Sequence, residues 1–343
     1  MVRWSIAQTT AKTGRSLIAL PCFAFRHISM GGNLRYILRR VVQSIVILWA
    51  ISLIAFVIMH LAPGGPGAIY EDPTISPEAT ERIRESFGLN DPILTQYVRW
   101  LGSILQGDFG RSFVDSRPVL GKISERIPAT IQLNVAARLL GLLGIPLGIY
   151  SAVRRNRFID HFIRILLSIG SAAPHWWIGL MFLVFVAAPT GWLPLGGMYT
   201  IGKQEDLLDR IWHLVLPATM YAFGDWIVWS RYLRSEIFEV LNQDYVRTAH
   251  AKGLTGSRIL TRHVLRNAMI PVITIFGGSF ATIISGSVAL ETVFSWPGIG
   301  RLAYTASIQR DYPVIMALIL ISSLLVMLGN LLLIWLTHGL THV

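Results

Sequence analysis

Three ionisable side chains lie within long apolar stretches of this sequence: Arg138, His175 and Asp225. An ion at membrane depth is costly, so such residues normally pair with one another or face a water-filled path. Arg138 and Asp225 have opposite charges and suit an ion pair that fixes two helices together. His175 and Asp225 have the side chains of an acid and a base, although most such pairs are structural. Two predictions stay open, a structural Arg138–Asp225 pair and a central pathway lined by Asp225 and His175 beside four tryptophans, Trp176, Trp177, Trp226 and Trp229.

A second distinctive stretch, residues 244–271, is polar and basic although it lies between two apolar segments. Asp244 suits a helix start, and Gly253 suits the left-handed turn that ends a helix. Tyr245 and Ala249 are four residues apart and therefore share one face. These features predict a helix of about three turns. A second, basic helix follows, with its cap and its regularly spaced arginines at Ser257, Arg258, Arg262 and Arg266.

The basic stretch has two interpretations. It is either an ordinary cytoplasmic loop whose positive charge fixes the membrane orientation, or a docking surface for another protein. Small residues at Ala249 and Gly253 would let a partner's groove approach the backbone closely. Spacing alone does not separate these two interpretations.

Composition places the chain in the membrane class. Hydrophobic residues make up 53% of the 343 residues and charged residues 14%, and the mean hydropathy is +0.54. A net charge of +11 is compatible with nucleic-acid binding, but the motifs that read grooves or stack bases are missing, so no nucleic-acid partner is predicted. The single cysteine, Cys22, excludes an intramolecular disulfide, and no metal-ligand spacing occurs. No metal site is predicted.

Six apolar runs are long enough to cross a hydrocarbon core of about 30 Å. They predict an all-α integral membrane protein with six transmembrane helices, at residues 34–62, 128–153, 162–188, 211–232, 268–293 and 314–337. The last five form one transmembrane domain, 128–337, with a cytoplasmic coupling region at 242–267 between the fourth and fifth spans. Residues 1–33 are predicted to be a cytoplasmic extension, 63–127 a large extracytoplasmic helical segment, and 338–343 a C-terminal tail.

The distribution of arginines predicts the orientation. Four of them crowd the connection between the second and third spans, at Arg154, Arg155, Arg157 and Arg164. By the positive-inside rule this connection, the 242–267 region and both termini are cytoplasmic. Pro174 and Pro217 lie inside or at the edge of predicted spans, where a lost backbone bond bends a helix.

The extracytoplasmic segment is predicted to contain two helices, from Ser76 and Pro77 to Gly88 and from Asp91 and Pro92 to Gly107. The second helix places an apolar and aromatic set on or near one face: Ile93, Tyr97, Trp100, Leu101 and Ile104. This face either packs onto the spans or forms a docking surface for an external substrate-binding protein, and both can hold.

Several catalytic motifs are missing from the sequence. No G-x-x-x-x-G-K-[ST] phosphate loop occurs, so this chain is not predicted to be an ATPase. His-Glu-x-x-His and G-x-S-x-G are missing too, and neither an intramembrane protease nor a hydrolase is indicated. We therefore predict no catalytic residue and no cofactor bound by this chain.

Several runs together resemble one family. These are DYVRTAHAKGL followed by RHVLRNAMIPV, with MGGNLRYILRR, GDFGRSFVDSRPV, ERIPAT, ETVFSWPGIGRL and RDYPV. They resemble permease subunits of binding-protein-dependent ABC importers, in the dipeptide/oligopeptide and nickel subfamily with the type I importer fold. The resemblance covers about residues 30–337. The chain has Arg247, Thr248 and Ala249 where the broader family has Glu-Ala-Ala, and Arg266 where a proline is common, but both departures are usual in the peptide subfamily.

The resemblance implies that a coupling helix docks into a cleft of a separate ATPase subunit. Its residues are Asp244, Tyr245, Arg247, Thr248, Ala249, Lys252, Gly253 and Leu254. It also implies a second homologous permease subunit, two cytoplasmic ATP-binding subunits that hold ATP and Mg²⁺, an extracytoplasmic substrate-binding protein, and a bacterial or archaeal cytoplasmic membrane whose lipid surrounds the chain. The subfamily's cargoes include peptides, nickel chelates and oligosaccharides. Two rival classes remain open here, a secondary, ion-coupled transporter that uses Asp225 and His175, and a membrane scaffold or receptor without transport.

Overall fold

The computed structural model describes residues 32–61, 78, 90–280, 283 and 286–340. The fold is helical, and no strand occurs within these residues. Most of the predicted N-terminal extension, the helix predicted from Ser76 to Gly88, and the end of the C-terminal tail lie outside the described residues.

Fourteen α-helices account for most of the described chain. They are α1 (Gly32–Leu61), α2 (Ile93–Leu105), α3 (Val119–Gly141), α4 (Gly144–Val153), α5 (Phe158–Ala172), α6 (His175–Phe182), α7 (Ala188–Thr190), α8 (Leu207–Leu241), α9 (Asp244–Ala251), α10 (Gly256–Ile259), α11 (Leu265–Phe280), α12 (Val288–Val293), α13 (Ile299–Ile308) and α14 (Tyr312–Leu340). Two π-helical turns, Leu183–Ala187 and Leu260–Val264, join α6 to α7 and α10 to α11.

Three helical stretches within the described residues are long and apolar enough to cross a membrane: Leu38–Leu61, Val119–Val153 and Tyr312–Leu331. A fourth candidate is the pair formed by Phe158–Ala172 and His175–Thr190, whose two halves meet at 96°. The all-α class and its apolar helices agree with the sequence. The count of six spans and the side on which each loop lies stay predictions.

Two predicted spans differ in shape from single straight helices. The run at 162–188 breaks at Pro174, which has no N–H to continue the helix, and Ala173 before it is extended, with φ −126° and ψ 150°. The run at 268–293 contains two helices, because α11 ends at Phe280 and α12 begins only at Val288. Gly286 lies between them with φ +70°, a left-handed turn that a count of apolar residues cannot detect.

The long helix α8 is the centre of the bundle and packs along α3, α4, α6 and α11. It approaches glycines of α3 and α4 closely. A Cβ at Gly141 would lie 2.8 Å from the Asp225 carboxylate, and one at Gly148 would lie 2.9 Å from the Ser230 carbonyl oxygen. Small residues at such contacts let two backbones approach closely, which is how helices associate in a membrane.

Helix α2 packs onto α1 and α14. Tyr97 is buried, and its hydroxyl lies 2.8 Å from Ser52 Oγ of α1. Phe56 and Met316 complete this contact, and Trp100 is packed against it. The packing interpretation therefore accounts for the middle of the predicted apolar face, whereas Ile93 at its start is exposed.

Candidate functional site

The predicted coupling helix is α9, which begins at Asp244 and ends at Ala251. Its eight residues make about two turns instead of the three predicted. Gly253 has φ +73°, as its predicted role at the helix end requires. There its N–H donates to the His250 carbonyl at 2.9 Å, and the Leu254 N–H donates to the Ala249 carbonyl at 3.3 Å. The left-handed turn ends the helix and directs the chain towards α10.

One face of α9 is seated in the chain's own core. Val246 and Ala249 are 1% and 4% exposed and pack with Ile237 of α8 and Val264 of the π turn. The Ala249 side chain is therefore covered by this chain itself, and its predicted part in the contact with an ATPase subunit stays a prediction. Tyr245 lies one turn before Ala249 but is 42% exposed, so Val246 and Ala249 alone form the buried part of α9.

The opposite face of α9 is open. Its exposed residues are Asp244, Tyr245, Arg247, Thr248, His250 and Ala251, and Lys252, directly after the helix, is exposed as well. Arg247 reaches Asp244 at 3.4 Å in an exposed pair, and the Tyr245 hydroxyl accepts a hydrogen bond from Asn267 Nδ2 at 2.7 Å. No atom lies within 4 Å of a Cβ placed on Gly253, so the end of the helix is accessible to a partner.

The basic helix after the glycine begins two residues earlier than a Ser257 cap predicts. Thr255 precedes its first residue, Gly256, and makes no side-chain capping bond, so Ser257 is not the cap. The π turn Leu260–Val264 then leads into α11. The three arginines at four-residue spacing, Arg258, Arg262 and Arg266, are all exposed.

The predicted Arg138–Asp225 pair is present. Nη1 of Arg138 lies 2.6 Å from both carboxylate oxygens of Asp225, which ties α3 to α8. The two side chains are 14% and 15% exposed. The guanidinium also lies over the Tyr221 ring, 5.3 Å from its centroid.

His175 lies in the same layer of the helix bundle as the Arg138–Asp225 pair and Tyr221. Its ring meets the ring of Tyr221 edge-on at 6.2 Å, and its Nδ1 lies 3.6 Å from the position of a Cβ on Gly224. His175 is the first residue of α6, immediately after the 96° break. The break thus brings an imidazole to the Arg138–Asp225 pair.

The four tryptophans near this layer have different surroundings. Trp229 is 1% exposed and buried within the chain, and its predicted place next to a pathway stays a prediction. The Trp226 indole N–H donates to the Leu140 carbonyl at 2.7 Å and holds α8 against α3. Trp176 packs against the cluster of Leu183 and Phe294. Trp177 alone of the four is exposed, at 46%.

Three buried carboxylates were not found from the sequence. Asp160, Glu291 and Asp311 are each at most 1% exposed. Asp160 accepts hydrogen bonds from Ser151 Oγ at 2.6 Å and from Arg234 Nη2 at 3.1 Å, and so joins α5 to α4 and α8. The acidic residues stand in loops and at helix starts, where a carboxylate is ordinarily exposed, so their types and positions gave no signal.

Glu291 organises a polar corner, which we define as Thr130, Glu291, Trp296 and Arg301. Glu291 accepts from Thr130 Oγ1 at 3.1 Å and from the Arg301 N–H at 3.0 Å. The Trp296 indole donates to the Ala129 carbonyl at 2.7 Å. The ETVFSWPGIG run therefore ties α12 and α13 to α3.

Asp311 forms a second link between distant parts of the chain. Its carboxylate accepts from Ser112 Oγ and, at 3.0 Å, from the Phe113 N–H. Lys122 Nζ lies 3.5 Å away and also contacts Asp115 at 3.0 Å. The loop before α3 is thereby fixed to the start of α14.

Comparison with known proteins identifies two family matches. The family described as binding-protein-dependent transport system inner membrane component matches residues 144–341. The family of N-terminal parts of such membrane components matches residues 33–134. The two matches extend over most of the chain.

Three relatives match nearly the whole chain. The oligopeptide transport system permease protein AppB of Bacillus subtilis is 46% identical over 86% of this chain and 94% of its own. A probable peptide ABC transporter permease protein of Sinorhizobium fredii is 38% identical over 87% and 95%. The glutathione transport system permease protein GsiC of Salmonella paratyphi A is 36% identical over 87% and 94%.

These matches support the importer interpretation and give no support to an ion-coupled secondary transporter. The chain belongs to the family of binding-protein-dependent transport system inner membrane components, and it is the transmembrane permease subunit of an ABC importer rather than an enzyme.

Proposed function

We propose that this permease forms one half of a translocation pathway for peptides, with a second homologous permease as the other half. Two cytoplasmic subunits bind and hydrolyse ATP with Mg²⁺, and an extracytoplasmic binding protein delivers the cargo. The chain crosses the membrane six times with both termini, the 154–164 turn and α9 in the cytoplasm. Arginines at 154, 155, 157 and 164 support this orientation.

The observation that carries the proposal is the two-sided packing of α9. Its inner face, Val246 and Ala249, is fixed to the end of α8, while Thr248, Lys252 and Gly253 are exposed. A partner that pushes the exposed face therefore moves α8, which packs along α3 and α4. Closure of the ATPase pair would tilt these helices between inward-open and outward-open arrangements, a rigid-body transition.

The experiment blocks the exposed face without straining the backbone. Thr248→Trp fills the surface that we assign to the ATPase subunit, and Ile201→Trp is the control, because Ile201 is 95% exposed in a different loop. Uptake and ATP hydrolysis are measured on the four-subunit complex with its binding protein in proteoliposomes. We expect Thr248→Trp to lower uptake by about tenfold or more and Ile201→Trp to leave it unchanged. Unchanged uptake in Thr248→Trp, with ATPase subunits that still co-purify, would refute the coupling role.

We also propose that Arg138, His175 and Asp225 border the pathway as well as each other. The pair is only partly buried, at 14% and 15% exposure, and His175 lies at the helix break beside it. Asp225→Asn removes the carboxylate and tests both roles. A pathway role predicts reduced uptake with ATP hydrolysis retained or uncoupled, whereas normal uptake with a lowered unfolding temperature would leave only a structural role.

Peptide cargo is proposed because relatives at 46% and 36% identity are named for oligopeptide and glutathione transport. Competition for uptake between a dipeptide, a longer oligopeptide, glutathione, a nickel chelate and an oligosaccharide tests this directly. Uptake that only the nickel chelate or the oligosaccharide inhibits would overturn it. The binding protein is included, since selectivity is expected to lie largely in its pocket.

A further inference from the structure

An arginine-rich cavity of about 290 Å³ lies between α4, α5 and α8. Three of its lining residues are arginines, Arg164, Arg231 and Arg234, and none of its ten lining residues is acidic. Four more are serines: Ser151, Ser168, Ser230 and Ser235. This concentration of guanidinium groups and hydroxyls differs from the apolar surfaces around it.

The charges of the cavity do not cancel. Asp160 lies behind its wall and is saturated by Ser151, the Asn156 N–H and both Nε and Nη2 of Arg234, so it compensates that arginine. Arg231 instead donates to neutral groups, Ser171 Oγ at 2.9 Å and the Leu167 carbonyl at 3.4 Å. Arg164 lies 3.6 Å from Asp160, a longer contact, and is 44% exposed. Three cations against one carboxylate leave an excess of two positive charges.

The serine hydroxyls add hydrogen-bond donors that suit phosphate oxygens. Ser168 on α5 and Ser235 on α8 are exposed at the cavity and face it from opposite walls. Guanidinium forks and serine hydroxyls are the side chains that bind phosphate oxygens in proteins, since the planar fork matches two oxygens of one anion.

The position of the cavity in the molecule indicates which phosphate-containing ligands can reach it. α5 exposes apolar residues beside Arg164, among them Phe162 at 56% and Ile165 at 58%. A helix with such a face and a cation near its start places the cation at headgroup level, and basic pockets between membrane helices bind anionic headgroups.

The cavity also adjoins the coupling region. Phe238 lines it and packs against the core cluster that seats α9. The Arg234 guanidinium lies over the Phe238 ring at 4.6 Å. We infer that the cavity between α4, α5 and α8 binds a phosphate group, supplied by an anionic phospholipid headgroup or by free phosphate, and that the bound anion stabilises the end of α8 that carries α9.

The test uses the assembled transporter in phosphatidylcholine nanodiscs. One arm adds phosphatidylglycerol to the disc, and the other titrates inorganic phosphate against chloride at matched ionic strength. The thermal unfolding midpoint is measured in each. A rise with phosphatidylglycerol alone identifies the headgroup as the source, a rise with inorganic phosphate identifies the free anion, and no rise in either arm refutes the inference.

Variants of the cavity residues test whether the shift in unfolding midpoint comes from this cavity. The double change Arg164→Gln with Arg231→Gln is expected to weaken apparent affinity about 10- to 100-fold. The control, Arg154→Gln with Arg157→Gln, removes two exposed charges from the neighbouring turn and is expected to keep the wild-type shift. If the arginine variant does not assemble, Ser168→Ala with Ser235→Ala removes only hydroxyl donors and is expected to weaken affinity about tenfold. A wild-type shift in either cavity variant would refute the assignment.

Discussion

The polar corner around Glu291 and the coupling helix α9 are held in opposite ways. At the corner, Thr130 of α3 and Arg301 of α13 donate to the Glu291 carboxylate, and the Ile299 N–H of α13 donates to Thr130. At α9, two small apolar side chains make the seat, and the polar residues all point outwards. Directional bonds fix one arrangement, whereas apolar packing tolerates displacement as a unit. The difference indicates a rigid anchor at the corner and a movable contact at the coupling helix.

The largest expected effect comes from breaking the anchor. Glu291→Ala leaves the Arg301 N–H and the Thr130 hydroxyl without their buried acceptor, which costs about 2–6 kcal/mol of folding stability. Glu125→Ala is the control, because Glu125 is exposed and pairs only with Arg117 among its described ion pairs, and surface pairs contribute about 0–1 kcal/mol. Thermal unfolding of the assembled transporter measures both. Equal decreases in unfolding temperature for the two variants would show that the corner is not an anchor.

A smaller effect is expected at the seat of the coupling helix. Val246→Ala removes two methyl groups from a site that is 1% exposed, at a cost of about 2 kcal/mol. Thr248→Ala, on the exposed face, removes a methyl group and a hydroxyl that donates to the Asp244 carbonyl. If the seat transmits motion, Val246→Ala lowers the ratio of uptake to ATP hydrolysis more than Thr248→Ala does. The reverse order would show that the exposed face alone matters.

The same comparison separates what the sequence predicted from what it did not. Apolar length found the long helices, and Gly253 was correctly predicted to end α9, because each signal is local. Opposite charges in apolar runs were enough to predict the Arg138–Asp225 contact. The buried face of α9 was not predicted, since which of Tyr245 and Ala249 is covered depends on where α8 and the π turn lie. Glu291 and Asp311 were missed because their burial arises from segments more than 150 residues away in sequence, which bring Thr130 and Ser112 to them.

A still smaller effect isolates the backbone at the end of α9. Gly253→Ala must adopt φ +73°, a left-handed conformation that costs an L-residue about 1–2 kcal/mol. Gly256→Ala is a close control, because a Cβ there also meets no atom within 4 Å and the glycine's φ lies outside the left-handed region. We expect a lower unfolding temperature and weaker coupling for Gly253→Ala only. Similar behaviour of the two variants would remove the left-handed turn from the argument.

The smallest effect concerns acid sensitivity beside the Asp311 link. Burial raises the pKa of Asp115, but hydrogen bonds from Lys122 and Ser112 outweigh it and hold that pKa below its ordinary 3.8. Because the folded state favours the ionised form, the stabilisation is complete above the ordinary pKa and is lost as the pH falls through the lower, folded value. Asp115→Asn should therefore destabilise the transporter slightly at neutral pH, and the difference from wild type should vanish in acid. Since the side chain is 37% exposed, we expect less than about 1 kcal/mol. If the stability difference between Asp115→Asn and wild type instead grows on acidification, repulsion between Asp115 and Asp311 dominates, and Lys122 does not join the two carboxylates.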